Sequence, residues 1–401
     1  MINNHSSYAN TKEVLYTLIC RYQPIARSDV ANIAGLTRAS VSNIVKEFLE
    51  LGLVEESDKV GKNVGRKKIL LKVNEQNAHV IGIDVGRRNI VATIYNAGGK
   101  MLKTERSSFP YVKTLRENVN DTKKLLDKLL IWAHLKKIQI DAIGIGVPGP
   151  VDPKNGIVYS APHFRKNETV NIKKIMEETY KIPTFVERDA NAAALGEQWF
   201  GIGKKHDSFV YLLLVEGIGA GMIVDGNLYR GSHELAGKVG KFVFPKIGDS
   251  GEICILEEFG SEISALNIAE ENAKKTRMGY LNSIMQKRPL NIDDLINGFK
   301  AKDPVAIKVV DVMTYYTAIT VSNLVLLVDP NLIVIGGDFI KVGSHFVEQV
   351  QEKAKKILGE RPLADLKESP IYDLSISLGA ATRAISEVVS MKLTGLKGKR
   401  F

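Results

Sequence analysis

The feature that most constrains this fold is a change of hydrophobic period close to residue 78. Upstream, apolar side chains recur at helical spacing, as Val14, Leu15, Leu18 and Ile19 do. Downstream, short apolar runs at 80–85, 90–95 and 143–147 alternate with helical stretches such as the amphipathic 118–136. A chain that interleaves strands and helices in this way builds a sheet covered by helices, an α/β body. With 401 residues it is also too long for one ordinary core. The reading therefore divides it into a small unit at 1–74 and a body at 75–401.

Composition narrows the function classes. Hydrophobic content of 44% and charged content of 25% are those of a globular protein. By this reading no apolar run approaches the ~18–20 residues that span a bilayer, and the polar N-terminal stretch has no signal-peptide core. The expectation is a cytoplasmic protein with no membrane partner. Cys20 and Cys254 lie far apart, which fits a reducing compartment without a disulfide framework. The net charge of +10 permits nucleic-acid binding but does not require it.

In the N-terminal unit, Ser28 is placed to cap a second helix ending at Ala34, with Asp29 favouring its positive end. Gly35 supplies a turn and Thr37 caps a third helix that ends at Gly52. Segments 53–56 and 68–73 then form a hairpin around a glycine-bearing loop. Ala31, Gly35, Val41 and Ile44 have the spacing of a helix-turn-helix: a small residue at the crossing, Gly at the turn, apolar anchors on the second helix. That leaves Thr37, Arg38, Ser40, Ser42 and Asn43 at the exposed start of a recognition helix, where Arg and Asn suit guanine and adenine edges. The hairpin tip carries Lys59, Lys62, Arg66, Lys67 and Lys68 with no intervening acid, a basic wing for the DNA backbone or minor groove. The candidate DNA contacts are thus Thr37, Arg38, Ser40, Ser42, Asn43, Lys62, Arg66 and Lys67, on double-stranded operator DNA. The bland alternative is a small docking domain with a solvated basic loop.

The body opens on Ile81-Gly82-Ile83-Asp84-Val85-Gly86-Arg87-Arg88. A strand that delivers Asp and then Gly suits a metal-bound phosphate, since Gly lets the backbone approach the oxygens. Further along, helical texture covers 190–200, strands cover 210–215 and 221–224 around a glycine loop, long helices occupy 261–290 and 304–327, and a late strand falls at 332–335. The tail 396–401 is rich in Lys and Arg.

Three more segments speak together: Gly144-Ile145-Gly146-Val147-Pro148-Gly149-Pro150; Glu187-Arg188-Asp189-Ala190-Asn191-Ala192-Ala193-Ala194; and Glu216-Gly217-Ile218-Gly219-Ala220-Gly221, followed by Leu235-Ala236-Gly237-Lys238-Val239-Gly240-Lys241. The series resembles the ROK family (repressors, open reading frames and sugar kinases), and with the N-terminal unit it resembles that family's transcriptional repressors of sugar utilisation. The resemblance implies an actin-like ATPase fold of two α/β lobes with a sugar cleft between them, lobe one at about 78–190 plus the C-terminal helix and lobe two at about 191–380. It implies Asp189 as the position of a general base for the sugar hydroxyl, and a loop at 217–221 whose N–H groups face ATP phosphates. It also implies a homodimer or homotetramer on DNA.

The departures from the family pattern argue against catalysis. Arg87 and Arg88 stand where the first loop has Gly-Thr. Glu216 puts a carboxylate where the γ-phosphate needs a neutral donor, which costs several kcal/mol if the site is dry and metal-free. Lys238 replaces a usual Glu. Pairing of Glu216 with Arg87 or Arg88 is one way such a site closes. The expectation is no enzyme, no ATP turnover, and Asp189 as a vestigial base. The family's zinc site takes a His where Lys241 stands, and a cysteine cluster of which Cys254 alone remains, so no zinc is expected.

The family's sugar contacts map onto His163, Arg188, Asp189, Lys238, Lys241 and Glu257. Arg188, Lys238 and Lys241 introduce donor-only cations where neutral or acidic groups are usual. Three readings stand: an acceptor-rich effector such as a sugar acid or sugar phosphate; cations that neutralise Glu187, Asp189 and Glu257; or Lys241 as a structural substitute for the metal.

Overall fold

In the computed structural model, which describes residues 4–60, 68–109, 112–159, 164–245, 253–276, 278–359 and 364–395, the chain divides into two units. The first comprises Met1–Lys205 with Ile376–Phe401, and the second His206–Ser375.

Local rules account for the start of the first unit. Helix α1 (Asn4–Tyr22) leads through the short strand β1 (Ile25–Ala26) into α2 (Arg27–Ala34). Gly35, at φ +64°, makes the turn that L side chains resist. Thr37 Oγ1 then accepts the Ser40 N–H at 3.2 Å and opens α3 (Arg38–Glu50). Val41, Ile44, Val45 and Phe48 turn inward from α3 and are buried along with Leu15, Ile19 and Val30. Strands β2 (Val54–Val60) and β3 (Lys68–Val73) form the antiparallel hairpin, with β1 on the far side of β3. Two local expectations change. Helix α2 begins at Arg27 after Ala26, with no side-chain cap, which places Ser28 inside the helix, where its hydroxyl bonds the Asp29 carboxylate. Strand β2 runs longer than 53–56.

The body sheet of this unit contains β4 (His79–Val85), β5 (Asn89–Asn96), β6 (Met101–Ser108), β7 (Ala142–Val147) and β11 (Thr184–Arg188), in the order β11-β7-β4-β5-β6. The first three are mutually parallel, whereas β5 and β6 return antiparallel. Helix α4 (Leu115–Leu135), opened by a capping box of Thr114 and Glu117, covers one face. Three short strands, β8 (Val151–Asp152), β9 (Ile157–Val158) and β10 (Val170–Asn171), precede α5 (Ile172–Tyr180). Directly after β11 the chain enters α6 (Asp189–Phe200).

The second unit is a mixed sheet in the order β14-β13-β12-β17-β18. Its strands are β12 (Phe209–Leu214), β13 (Ile218–Val224), β14 (Asn227–Tyr229), β17 (Leu332–Gly337) and β18 (Asp365–Glu368). A small hairpin, β15 (Val243–Pro245) with β16 (Ile253–Ile255), leads to α7 (Glu257–Gly260), α8 (Glu262–Thr276), α9 (Tyr280–Met285), α10 (Ile292–Lys300), α11 (Pro304–Val328) and α12 (Ser344–Leu358). The single helix expected over 261–290 is broken into α8 and α9. Gly279, at φ +116°, makes the break, and a Cβ there would crowd the Asp303 carboxylate. By length and composition α11 is apolar enough to cross a membrane, contrary to the reading that no run comes near that length. Its Val309, Met313, Val321 and Leu324 belong to the core of this unit, beneath Leu212 and Ile335.

The chain ends in α13 (Ser375–Leu393), which from Ile376 belongs to the first unit. Its seat explains the glycines of the opening motifs. A Cβ on Gly82 of β4 would overlap the Ser377 carbonyl, one on Gly144 of β7 the Ala380 carbonyl, and one on Gly379 the Ala192 carbonyl of α6. Helix α13 thus lies backbone-close to β4, β7 and α6. Helix α6 falls in the first unit, whereas the sequence reading divided the lobes at 190, before most of it.

Candidate functional site

On α3, Thr37, Arg38, Ser40 and Asn43 are exposed and Ser42 is half-buried, while Val41, Ile44 and Val45 face the core. The amphipathic period of the helix therefore presents a polar, one-cation face at its N-terminal turn. Lys62, Arg66 and Lys67 lie outside the described residues. At the base of the hairpin Lys68 pairs with Asp29 at 3.1 Å.

In the body, β4 delivers Asp84 to the turn at Gly86, where a Cβ would meet the Asn89 carbonyl. Arg87 is buried, with 4% of its surface exposed. Asn118 of α4 pins this loop: its Nδ2 donates to the Gly86 carbonyl at 2.7 Å and to the Arg87 carbonyl at 3.3 Å. Phe109 N–H donates to the Arg88 carbonyl at 2.8 Å. Asn118 was missed from sequence. Its signal was present, as a lone amide within the buried stripe Leu115, Val119, Thr122 and Leu126.

The glycine loop of the second unit is shorter than expected. Gly219 and Gly221 belong to β13, opposite Leu213 and Tyr211 of β12, so the turn contracts to residues 215–217. Three N–H donors of this stretch are committed to the protein. Val215 N–H reaches the Gly217 carbonyl at 3.1 Å, and Ala220 N–H the Gly237 carbonyl at 2.7 Å. Ile218 N–H donates to Glu257 Oε1 at 3.3 Å. Arg87 and Arg88 stand in the first unit and Glu216 in the second.

The positions mapped as sugar contacts fall into two clusters. In the first unit Arg188 ends β11 and Asp189 begins α6. Asp189 Oδ1 accepts the Ala190 N–H at 2.7 Å, and the positive helix end favours its charge. The Arg188 guanidinium is 7% exposed and donates to Asn191 Oδ1 at 2.7 Å. Asn191 Nδ2 in turn donates to Glu187 Oε1 at 3.0 Å, and the Arg188 N–H reaches the same oxygen at 2.9 Å. Asn191 was not singled out from sequence. It lies one helical turn from Arg188, the spacing that brings side chains together.

In the second unit Lys238 precedes the 3-10 turn Val239–Lys241. Lys241 Nζ lies 3.1 Å from Glu257 Oε2, a carboxylate only 9% exposed. Gly240 permits this approach, because a Cβ there would meet both the Ile218 carbonyl and the Glu257 carboxyl group. His163 lies outside the described residues.

Two positions that the resemblance maps to the family's zinc site are described, Lys241 and Cys254. Lys241 is an ammonium engaged with a carboxylate, and Cys254 Sγ is buried against the Phe244 carbonyl at 3.3 Å. No group of three metal-ligating side chains occurs among the described residues.

Two α/β sheets carrying these loops define a protein of the sugar-kinase type of fold. Residues 80–385 match the model of the ROK family, and the chain belongs to that family. A xylose repressor of Caldicellulosiruptor bescii is 28% identical over 371 residues, covering 91% of this chain and 93% of the relative. A glucokinase of Halalkalibacterium halodurans is 30% identical over 282 residues, covering 68% of this chain and 84% of the relative. Among solved structures, a ROK family transcriptional regulator described as a homologue of the Escherichia coli MLC protein superposes with a TM-score of 0.75. It is 21% identical and covers 98% of this chain and 99% of its own.

Proposed function

We infer that the chain is a DNA-binding transcriptional repressor of carbohydrate-utilisation genes, controlled by a sugar held in its ROK body. The observation that carries this reading is the exposed start of α3, with Arg38, Ser40 and Asn43 presented on a three-helix unit with a β-hairpin. We read this unit as a winged helix-turn-helix, a motif whose recognition helix enters the major groove. Likeness to the xylose repressor over nearly the whole chain supports it. On this reading two copies meet the half-sites of a two-fold operator, as dimers carrying such heads do.

For the effector, the ion pair of Lys241 with Glu257 favours neutralisation over an excess of free cations. Within each unit a mapped cation already has a protein partner, Asn191 for Arg188 and Glu257 for Lys241. A balanced set of donors and acceptors suits a neutral sugar better than a sugar acid or phosphate. A thermal-shift panel of pentoses, hexoses, N-acetylated sugars, uronates and sugar phosphates tests this, since a ligand of the native state raises its stability. Neutral sugars are expected to stabilise; stabilisation by the anionic compounds alone would sink the neutral-effector reading.

The second reading is an ATP-dependent sugar kinase with a DNA-binding head, favoured by Asp189 at the start of α6 and by the glucokinase relative. Against it stand Glu216 and the commitment of the Ile218 N–H to Glu257. A coupled kinase assay with the same neutral sugars is expected to show no turnover. Turnover abolished by Asp189→Asn would establish the kinase.

A further inference from the structure

Among the described residues, contacts at two places tie the DNA-reading unit to the body, both within the first unit. The Tyr16 ring of α1 meets the indole of Trp199 in α6, with centroids 6.1 Å apart and both residues almost fully buried. The other edge of Tyr16 meets Phe48 of α3, again at 6.1 Å and nearly perpendicular. Beside this contact, Arg21 Nε donates to the Lys204 carbonyl at 3.0 Å, in the 3-10 turn that follows α6. The second place is the stretch joining head to body. There Lys392 of α13 donates to the Asn77 carbonyl at 2.6 Å and to Asn77 Oδ1 at 2.7 Å.

The joint is dry. Cys20, one turn beyond Tyr16 and 1% exposed, has its thiol pushed well above the ordinary range by burial. The two helices that reach the head are also locked to each other, since Gly379 of α13 sits against the backbone of Ala192 in α6 with no room for a Cβ.

Helix α6 therefore has a different task at each end. Asp189 and the Arg188–Asn191 contact occupy its first turn, and Trp199 occupies its last. At 1.5 Å rise per residue these ends are roughly 15 Å apart. A close-packed helix transmits a shift rather than absorbing it, because packed interiors compress little. We propose that α6 is the transmission element of this repressor: a sugar contacting its first turn moves Trp199, which moves Tyr16, Phe48 and hence the recognition helix α3, while Arg21–Lys204 and Lys392–Asn77 keep the head moving with α6. This rests on the reading of Asp189 and Arg188 as effector residues. The head is then a fixed extension of the first unit rather than a domain on a loose tether.

The test uses the full chain with Trp199→Leu and, separately, Arg21→Gln. Fluorescence anisotropy on a duplex selected from a random pool gives operator affinity with and without sugar. The probes are D-xylose, D-glucose and N-acetyl-D-glucosamine. Wild type is expected to change affinity by about 5–150-fold with the sugar it recognises, the usual range of such coupling. Both variants are expected to keep the sugar-induced thermal shift and their sugar-free operator affinity. Their sugar response is expected to fall, to about twofold or less for Trp199→Leu if the coupling runs through this contact. If Trp199→Leu does not fold, Arg21→Gln carries the test, because it removes the bond to the Lys204 carbonyl and leaves the Tyr16–Trp199 contact in place. An undiminished response in the folded variants overturns the proposed route. So does loss of operator binding without sugar, which would make the joint a folding contact only. A wild type whose operator affinity no probe alters overturns the underlying reading and the route with it.

Discussion

Arg38 and Arg188 stand at the starts of two helices of the same unit, one position apart in register, and their environments differ sharply. Arg38 is the first residue of α3, behind the Thr37 cap, and is exposed. Arg188 is the residue before α6, is 7% exposed, and gives its guanidinium to Asn191. The same side chain is thus offered to a partner in one case and built into the protein in the other. Lys241, tied to the buried Glu257, falls with Arg188. The comparison teaches that cations mapped onto a ligand site by sequence are not automatically ligand contacts. What separates them is whether a carboxylate or amide lies within reach once the chain is folded.

The comparison can be broken most forcefully at Asn191. Asn191→Leu deprives two buried charged groups of a hydrogen-bond partner. It is expected to lower stability by about 2–3 kcal/mol, seen as a lower midpoint in thermal or urea unfolding. An unchanged midpoint would mean that Arg188 is not held as described. Arg38→Ala should do the opposite, leaving stability alone and weakening operator binding by about 1–3 kcal/mol at particular base positions. Equal loss on every duplex would show that Arg38 touches phosphate only. Lys241→Met is expected to cost no more than about 1 kcal/mol, because the ammonium is largely exposed and its pair is screened. Its sharper readout is the effector panel, in which neutral sugars lose ground once Glu257 is uncompensated. The smallest effect concerns Cys20. Burial raises its thiol pKa, so little thiolate forms near neutral pH and a thiol reagent should leave it unmodified in the native chain. Peptide mapping separates it from Cys254, and rapid labelling of Cys20 would show that the head joint opens.

Much of the fold was legible because its determinants are local. Thr37, Gly35 and the apolar period of α3 lie within one short stretch, and the structure uses each as its chemistry suggests. Other features depend on residues far away in the chain. Gly82 and Gly144 read as parts of the family's motifs, yet the structure gives them a packing reason, the approach of α13 more than two hundred residues later. The glycines at 219 and 221 looked like a phosphate cradle and became strand residues, since their antiparallel partners in β12 leave only a short turn. Helix α8 was extended too far because its apolar period continues beyond the break at Gly279. At the candidate site, Asp189 and Glu257 were singled out from motif alone. Asn118 and Asn191 were not, although an amide on a buried helical face is the kind of signal that marks a pinning contact.

The account's central claim is that the head binds DNA and that a sugar in the body governs it. The most direct measurement is operator affinity by fluorescence anisotropy, on a duplex selected from a random pool, titrated with neutral sugars. The account predicts salt-sensitive binding that one neutral sugar shifts by about 5–150-fold, with no sugar phosphate formed when ATP is added. Binding indifferent to every sugar, or ATP-dependent phosphorylation of the sugar that binds, would contradict it.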